Sequence, residues 1–428
     1  MNCRAKTLFS GLLLIAAISL SSQIVSAAAD DLTSYPPLIY KTMSRLSKWS
    51  PKTDVTDLTE RCKLTFSSPT LSPKDCQADY KLNFLDDFKS KLFFKFDISD
   101  SKKFQKINFE LKHGLKIRGL LALHQNQKRP LVIFRMGIHG NIDEFLAERY
   151  LLKLIYEDLG YHVLTLESLT SHGFLKINDR VTIGGFEEGL HTFFILNQIT
   201  NNEFIWTKDI TDIHLMGVSM SGAGLFLTTY LDEQSEHKIK SVQAFCPLIN
   251  LQKTFEYHSR PGFFSAYFDL WNSRRLKALY EKNPALGEIN LWPMILDLKP
   301  RFTPAAFDWI NKKEPKPILD LKTFQNHFPK IKFSPEIISH IENSKNLYEL
   351  NNFWPIFKNE KTPIQIYVTP NDPAVVNYLN TDLIQNGRQP GLFSKTKITE
   401  LNGVHCALAS EYQWPFLIEM VKRGFQER

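Results

Sequence analysis

The sequence predicts an α/β protein: a mostly parallel central sheet with helices on both faces, a large helical insertion and an N-terminal extension. Three observations carry this. From Phe104 onward, short apolar runs alternate with stretches of helical spacing, the pattern of a parallel sheet covered on both sides. One of these runs, residues 213–216, passes through small residues around Ser219 directly into a helix. The alternation then stops after Pro247 and resumes at Pro363.

The elements follow in order. Residues 106–112 and 115–123 alternate apolar and polar side chains around His113-Gly114, as the arms of a hairpin do. Residues 130–135 read as a buried strand, 144–159 as an amphipathic helix, 161–166 as a strand and 186–199 as a helix. Strand 213–216 leads into the serine turn, its helix continues through 225–231, and 242–245 is the next strand. The interval 250–360 holds 19 Phe, Trp and Tyr residues and 10 of the 22 prolines. Prolines at that density break long helices into short ones, and a structureless loop of that length is uncommon in a compact domain. A folded helical insertion is therefore expected, most of its aromatics forming its own core and a few lining a pocket. Strands 363–368 and 394–401 and a helix near 411–423 close the chain. The divisions are 1–27, 28–103, 104–249, 250–362 and 363–428.

Residues 1–27 read as a secretory leader: Arg4 and Lys6, an apolar run over 8–20, and Val25-Ser26-Ala27 for cleavage. The apolar run is short for a bilayer, no later segment is long enough to span one, and Cys3 precedes the run rather than following it. A soluble protein exported to the periplasm or beyond, with no transmembrane segment in the mature chain, is expected. Residues 28–103 are an N-terminal extension expected to pack on the core, without recognisable chemistry of its own. Export places four remaining cysteines in an oxidising setting. Cys62 and Cys76 flank a Ser- and Pro-rich loop and are the preferred pair; Cys246 and Cys406 either pair near the site or stay separate. A net charge of +7 without a Lys/Arg cluster argues against a nucleic-acid partner.

The chemistry centres on Gly217-Val218-Ser219-Met220-Ser221. A serine raised from a buried strand into so tight a turn needs small residues two places either side, and Gly217 and Ser221 supply them. This stretch resembles the nucleophile elbow of the α/β-hydrolase superfamily, with serine where that pattern ends in glycine. A register centred on Ser221 also has small flanks, but the apolar run ends at Met216-Gly217, which puts Ser219 in the turn. The resemblance covers 104–249 and 363–428 and implies an opening antiparallel hairpin before the βα repeats. It also implies an acid and a histidine after late strands. Asp372, in Asn371-Asp372-Pro373 after strand 363–368, matches the acid, and His405, on the Gly403 turn after the last strand, matches the histidine. For the oxyanion, the resemblance implies the N–H of Met220 and one from the loop Met136-Gly137-Ile138-His139-Gly140, with Ile138 and His139 both candidates. His172-Gly173 reads as a turn, the alternative being that it lines the pocket mouth, and Glu256, Asp269, Arg274 and Arg275 are weaker candidates for substrate selection.

There is no Cys/His metal spacing, no His-Glu-x-x-His and no phosphate-binding glycine fingerprint, so no cofactor or metal is implied. The expected function is an exported serine hydrolase cleaving a small-molecule or lipid-like carboxylic ester through an acyl-enzyme. The same triad would serve an amidase or peptidase, and the same fold a binding protein with a silent elbow. Turnover of matched esters and anilides separates the first pair, and reactivity of the serine separates the second.

Overall fold

Gly114, at φ +88°, turns the chain between β1 (Phe104–Glu110) and β2 (Lys116–Ala122), which pair antiparallel as expected. This computed structural model describes residues 103–143, 151–152, 154–180, 182–260, 302–313, 317–352, 361–370, 372–386, 395–401, 405–406 and 414–426. The leader, the N-terminal extension up to residue 102, the Cys62–Cys76 pairing, Asp269, Arg274 and Arg275 lie outside the described residues.

Six further strands follow: β3 (Arg129–Arg135), β4 (His162–Leu166), β5 (Ile210–Val218), β6 (Ile239–Phe245), β7 (Ile364–Val368) and β8 (Thr396–Glu400). Their spatial order is β1-β2-β4-β3-β5-β6-β7-β8; β2 runs antiparallel to β4, and from β4 to β8 every pair is parallel. β4 and β7 are buried along their whole length, the burial that short uninterrupted apolar runs predict. The chain leaves β3 to one side for β4 and returns to its other side for β5. Such a reversal opens a crevice beyond the carboxyl ends of the strands, the usual place for a ligand in an open α/β sheet.

Among the described residues the α-helices include α1 (His172–Asn178), α2 (Gly185–Thr200), α3 (Met220–Glu233), α4 (Leu251–His258), α5 (Phe302–Lys313), α6 (Leu321–His327), α7 (Pro335–Asn343), α8 (Leu347–Leu350), α9 (Thr381–Asn386) and α10 (Trp414–Gln426). α3 crosses α2 on glycine: a Cβ on Gly224 would lie 2.7 Å from the Gly185 carbonyl, and one on Gly189 2.5 Å from the Gly224 carbonyl. The elbow helix is thereby seated directly on its neighbour. Between β6 and β7 the described chain is helical, α4 to α8, in short pieces as the prolines imply. Side chains of Asn250, Asp320, Ser334 and Asn346 cap the starts of α4, α6, α7 and α8, each accepting from a backbone N–H in the first turn.

Two expectations need correction. His172-Gly173 is not a turn but the start of α1, whose first turn is capped by the Ser171 hydroxyl, a signal present in the sequence. The stretch expected as helix over 144–159 has a π-helical turn at Leu154–Asp158, and 144–150 lie outside the described residues.

Candidate active site

Ser219 stands at the junction of β5 and α3 with φ +56° and ψ −124°, a conformation that costs a non-glycine residue about 1–3 kcal/mol and persists only where the surroundings enforce it. They do so through the backbone. The Ser219 N–H donates to the Phe245 carbonyl at 2.8 Å, and its carbonyl accepts from Gly222 at 3.0 Å and Leu248 at 3.1 Å. A Cβ on Gly217 would come within 2.9 Å of the Leu225 side chain and 3.2 Å of the Gly222 Cα, so a larger residue there would have to displace the start of α3 or the Leu225 side chain. Ser221 is fully buried on α3 and donates its hydroxyl to the Met136 carbonyl, so its oxygen is already committed.

Met136 opens the loop after β3. A Cβ on Gly137 would sit 3.5 Å from the Ser219 Cβ, which puts this loop against the turn serine. The Gly140 N–H donates to the Gly137 carbonyl at 2.9 Å, closing a turn with His139 at φ +58°. His139 is committed elsewhere: its N–H donates to Thr170 Oγ1 at 2.8 Å and its ring Nδ1 lies 2.9 Å from the Thr170 carbonyl. That removes His139 as a backbone donor to a reacting oxygen. The N–H groups of Ile138 and Met220 have no acceptor among the described residues, and Met220 begins α3, where helical N–H groups are free by construction.

Beneath this loop the fully buried Arg135 pairs with Glu188 on α2. Burial pushes the Arg135 guanidinium down to about 9. The other Glu188 oxygen accepts from Ser168 Oγ at 3.0 Å and the Leu169 N–H at 2.9 Å, and Ser168 in turn meets Thr170 at 2.9 Å. A chain of polar contacts therefore runs from the sheet through Glu188 to His139. The sequence reading did not find it, because residues from three separate elements meet only in the fold.

Asp372 and His405, 33 residues apart, meet beyond the ends of β7 and β8. The ring Nδ1 lies 2.9 and 3.0 Å from the two carboxylate oxygens. Asp372 Oδ1 also accepts from the N–H groups of Ala374 and Val375, both at 2.8 Å, and Oδ2 from that of Cys406 at 2.9 Å. Burial pushes this carboxyl up, but the His405 charge and hydrogen bond and these N–H donors outweigh it and hold it below its ordinary value. His258 at the end of α4 braces the same loop, its Nε2 2.8 Å from the Ala374 carbonyl, and burial lowers its own affinity for a proton. Asn380 ties the loop to α4 as well, its Oδ1 accepting from Ile249 at 2.8 Å and Asn250 at 3.0 Å. Among the described residues no hydrogen bond joins Ser219 Oγ to His405; in ligand-free sites such bonds are often long and tighten with substrate.

Cys246 and Cys406, left open by the sequence, form a disulfide beside the His405 ring, with Cα atoms 4.8 Å apart. Ligand atoms of Cys246, Asp372, His405 and Cys406 all lie within 4.8 Å of one another. Cross-linked sulfurs offer no thiolate, and Asp372 is engaged by three backbone N–H groups, so in this state the cluster is a poor metal-ligand set. A polar cavity of about 500 Å³ lies elsewhere, between α4 and α7–α8; Lys253, Glu256, His340 and Tyr348 are on its wall, and Ser219, Asp372 and His405 are not. Nearer the serine, Phe307 of α5 stacks on His139 at 6.1 Å and on Phe255 of α4 at 4.5 Å. Among the described residues no helix is long and apolar enough to cross a membrane.

No protein-family model and no curated protein matches the sequence. Solved structures are similar at low identity. The esterase Pf2001 of Pyrococcus furiosus has a TM-score of 0.42 and 12% identity, over 75% of this chain and 90% of that one. An esterase of Pyrobaculum calidifontis has 0.38 and 13%, over 91% and 96%. An acylaminoacyl peptidase has 0.41 and 14%, over 76% and 42%. The fold is decided by the chain's own connectivity: an opening antiparallel hairpin of which β2 alone runs against the other strands, a crossover at β3, and a strained serine where β5 turns into α3, which together make this an α/β-hydrolase fold.

Proposed function

We propose that this protein is an exported serine hydrolase that cleaves a carboxylic ester, with Ser219 as nucleophile, His405 as general base and then acid, and Asp372 as the group that orients His405. The observation that carries the reading is the strained Ser219 turn, set against the Gly137 loop, in a chain where Asp372 grips His405 Nδ1 at 2.9 Å. A carboxylate on Nδ1 fixes the tautomer and leaves Nε2 free to take the serine proton.

Ser219 Oγ adds to the acyl carbonyl as its proton passes to His405 Nε2. The resulting oxyanion is received by the N–H groups of Met220 and Ile138. Collapse breaks the bond to the alcohol oxygen, which leaves with the proton from His405. Water, deprotonated by the same nitrogen, clears the acyl-enzyme and restores the serine. Residues 250–362 act as a cap, and the contact of Phe307 with His139 supports an apolar wall beside the oxyanion loop that suits an acyl chain. Export is supported by the leader-like residues 1–27 and by the disulfide, which persists in an oxidising compartment.

The test is covalent labelling of the purified protein by a fluorophosphonate, with Ser219→Ala and Ser221→Ala alongside. Labelling should disappear in Ser219→Ala alone; labelling that persists there, or is absent from the folded wild type, overturns the reading. Matched p-nitrophenyl esters and anilides then decide the bond, and preferential turnover of anilides would make the protein an amidase.

A further inference from the structure

We propose that the Cys246–Cys406 cross-link positions the His405 imidazole, and that its reduction disarms the site. The inference rests on the serine-hydrolase reading and adds to it a redox control on the general base.

Each end of the cross-link is anchored to a different part of the machinery. Cys246 directly follows β6 and is 1% exposed, and its N–H donates to the Tyr367 carbonyl at 2.7 Å. It lies between Phe245, whose carbonyl accepts from Ser219, and Leu248, whose N–H donates to Ser219. The backbone that grips the nucleophile is thus the backbone that carries Cys246. Cys406 follows His405, is wholly buried, and donates its N–H to Asp372 Oδ2 at 2.9 Å. One covalent bond therefore joins the serine side of the site to the histidine and aspartate side.

The sulfur also touches the ring. Cys406 Sγ lies 3.5 Å from His405 Nδ1 and 3.4 Å from Nε2, and Cys246 Sγ lies 3.9 Å from Nδ1. Near-equal distances to both nitrogens place the sulfur against the face of the imidazole, not on the lone pair of either nitrogen. Asp372 alone holds one edge and leaves the ring free to tilt about it; a sulfur packed on the face removes that freedom. Both half-cystines have positive φ, +40° at Cys246 and +58° at Cys406, where side chains other than glycine are uncommon. The cross-link holds both in place.

Reduction is a two-electron exchange with a dithiol. One thiolate of the reductant attacks a cystine sulfur, the S–S bond breaks, and the other cysteine leaves as a thiolate. The second thiol of the reductant then displaces the first cysteine, leaving Cys246 and Cys406 as thiols and the reductant as its own disulfide. Two unbonded sulfurs need more room than two bonded ones, and in a close-packed interior the wall they press on includes His405. Displacing a catalytic group by about 1 Å costs about 100-fold in rate.

The experiment compares fluorophosphonate labelling rates of the oxidised and dithiothreitol-reduced wild type, with near-UV circular dichroism and Tm as controls of fold. A Cys246→Ala/Cys406→Ala double variant is run beside them. Reduction should slow labelling by about 10- to 100-fold with the fold retained, reoxidation should restore it, and the double variant should be slow and indifferent to reductant. Equal rates in both states, a double variant as fast as the oxidised protein, or a rate that falls only as the fold is lost would each overturn the proposal. Absence of labelling in both states would instead sink the hydrolase reading. The His405 ring titration, followed by NMR with labelled histidine, then decides positioning by itself: a shift between oxidised and reduced protein sustains it, and superimposable titrations refute it.

Discussion

Ser221 stands where the family pattern has glycine, and its hydroxyl binds the Met136 carbonyl. That carbonyl shares a trans peptide with the Gly137 N–H, and the next carbonyl, on Gly137, is held by Gly140. Both peptides that set the 136–140 loop against Ser219, the loop proposed to hold the oxyanion, are therefore anchored. Ser221→Ala should leave labelling at Ser219 intact while kcat for an ester falls about 10-fold with KM little changed, since a loosened donor loop is felt in the transition state. An unchanged kcat would reduce Ser221 to a small residue that merely fits. Asp372→Asn should lower kcat by about 10⁴-fold while the protein stays folded, because an amide in that place selects the wrong histidine tautomer. Steady-state kinetics on both variants check these outcomes.

At the scale of elements, the 136–140 loop depends on how α2 meets the sheet and α3. Glu188→Ala would remove the ion-pair partner of the buried Arg135, leaving it the charge of Glu167, and should destabilise the protein by up to about 3–5 kcal/mol, read by urea denaturation. Gly189→Ala would place a methyl against the Gly224 carbonyl at 2.5 Å and force α3 away from α2. A loss of about 1–3 kcal/mol is expected, together with a slower Ser219, because the elbow rides on α3. An alanine tolerated without loss of stability or rate would mean that the two helices separate freely.

For the whole molecule, acid sensitivity follows from histidines buried as neutral rings. His214 in β5 is 4% exposed, its Nδ1 2.9 Å from Ser241 Oγ, and burial lowers its pKa from 6.5 to about 4. The unfolded chain binds this proton more readily, so stability should fall as pH drops from about 6.5 towards about 4, by about 3 kcal/mol in all, and level off below. Asp372 acts in a lower window: its pKa is depressed in the fold, so its contribution is present above the ordinary carboxylate value and lost as pH falls through the depressed one. Urea denaturation between pH 7 and pH 4 should show the first loss, and His214→Phe should remove its share of it, while burial of His113, whose pKa is lowered to about 3, keeps a further part.

What the sequence determined by itself was whatever depends on neighbours along the chain. Apolar periodicity located the strands, the small residues around Ser219 located the turn, and the family resemblance pointed to Asp372 and His405 in the loops after β7 and β8. Local signals were also overlooked, as with the Ser171 cap that begins α1. What only the tertiary structure decided were contacts between residues far apart in sequence: the Cys246–Cys406 bond across 160 residues, the Arg135–Glu188 pair at the end of β3, and the commitment of the His139 N–H to Thr170. The physical reason is that turn geometry and strand period are encoded within a few residues. Which buried donor meets which acceptor depends on how the sheet order brings separate elements together, and no local pattern records that.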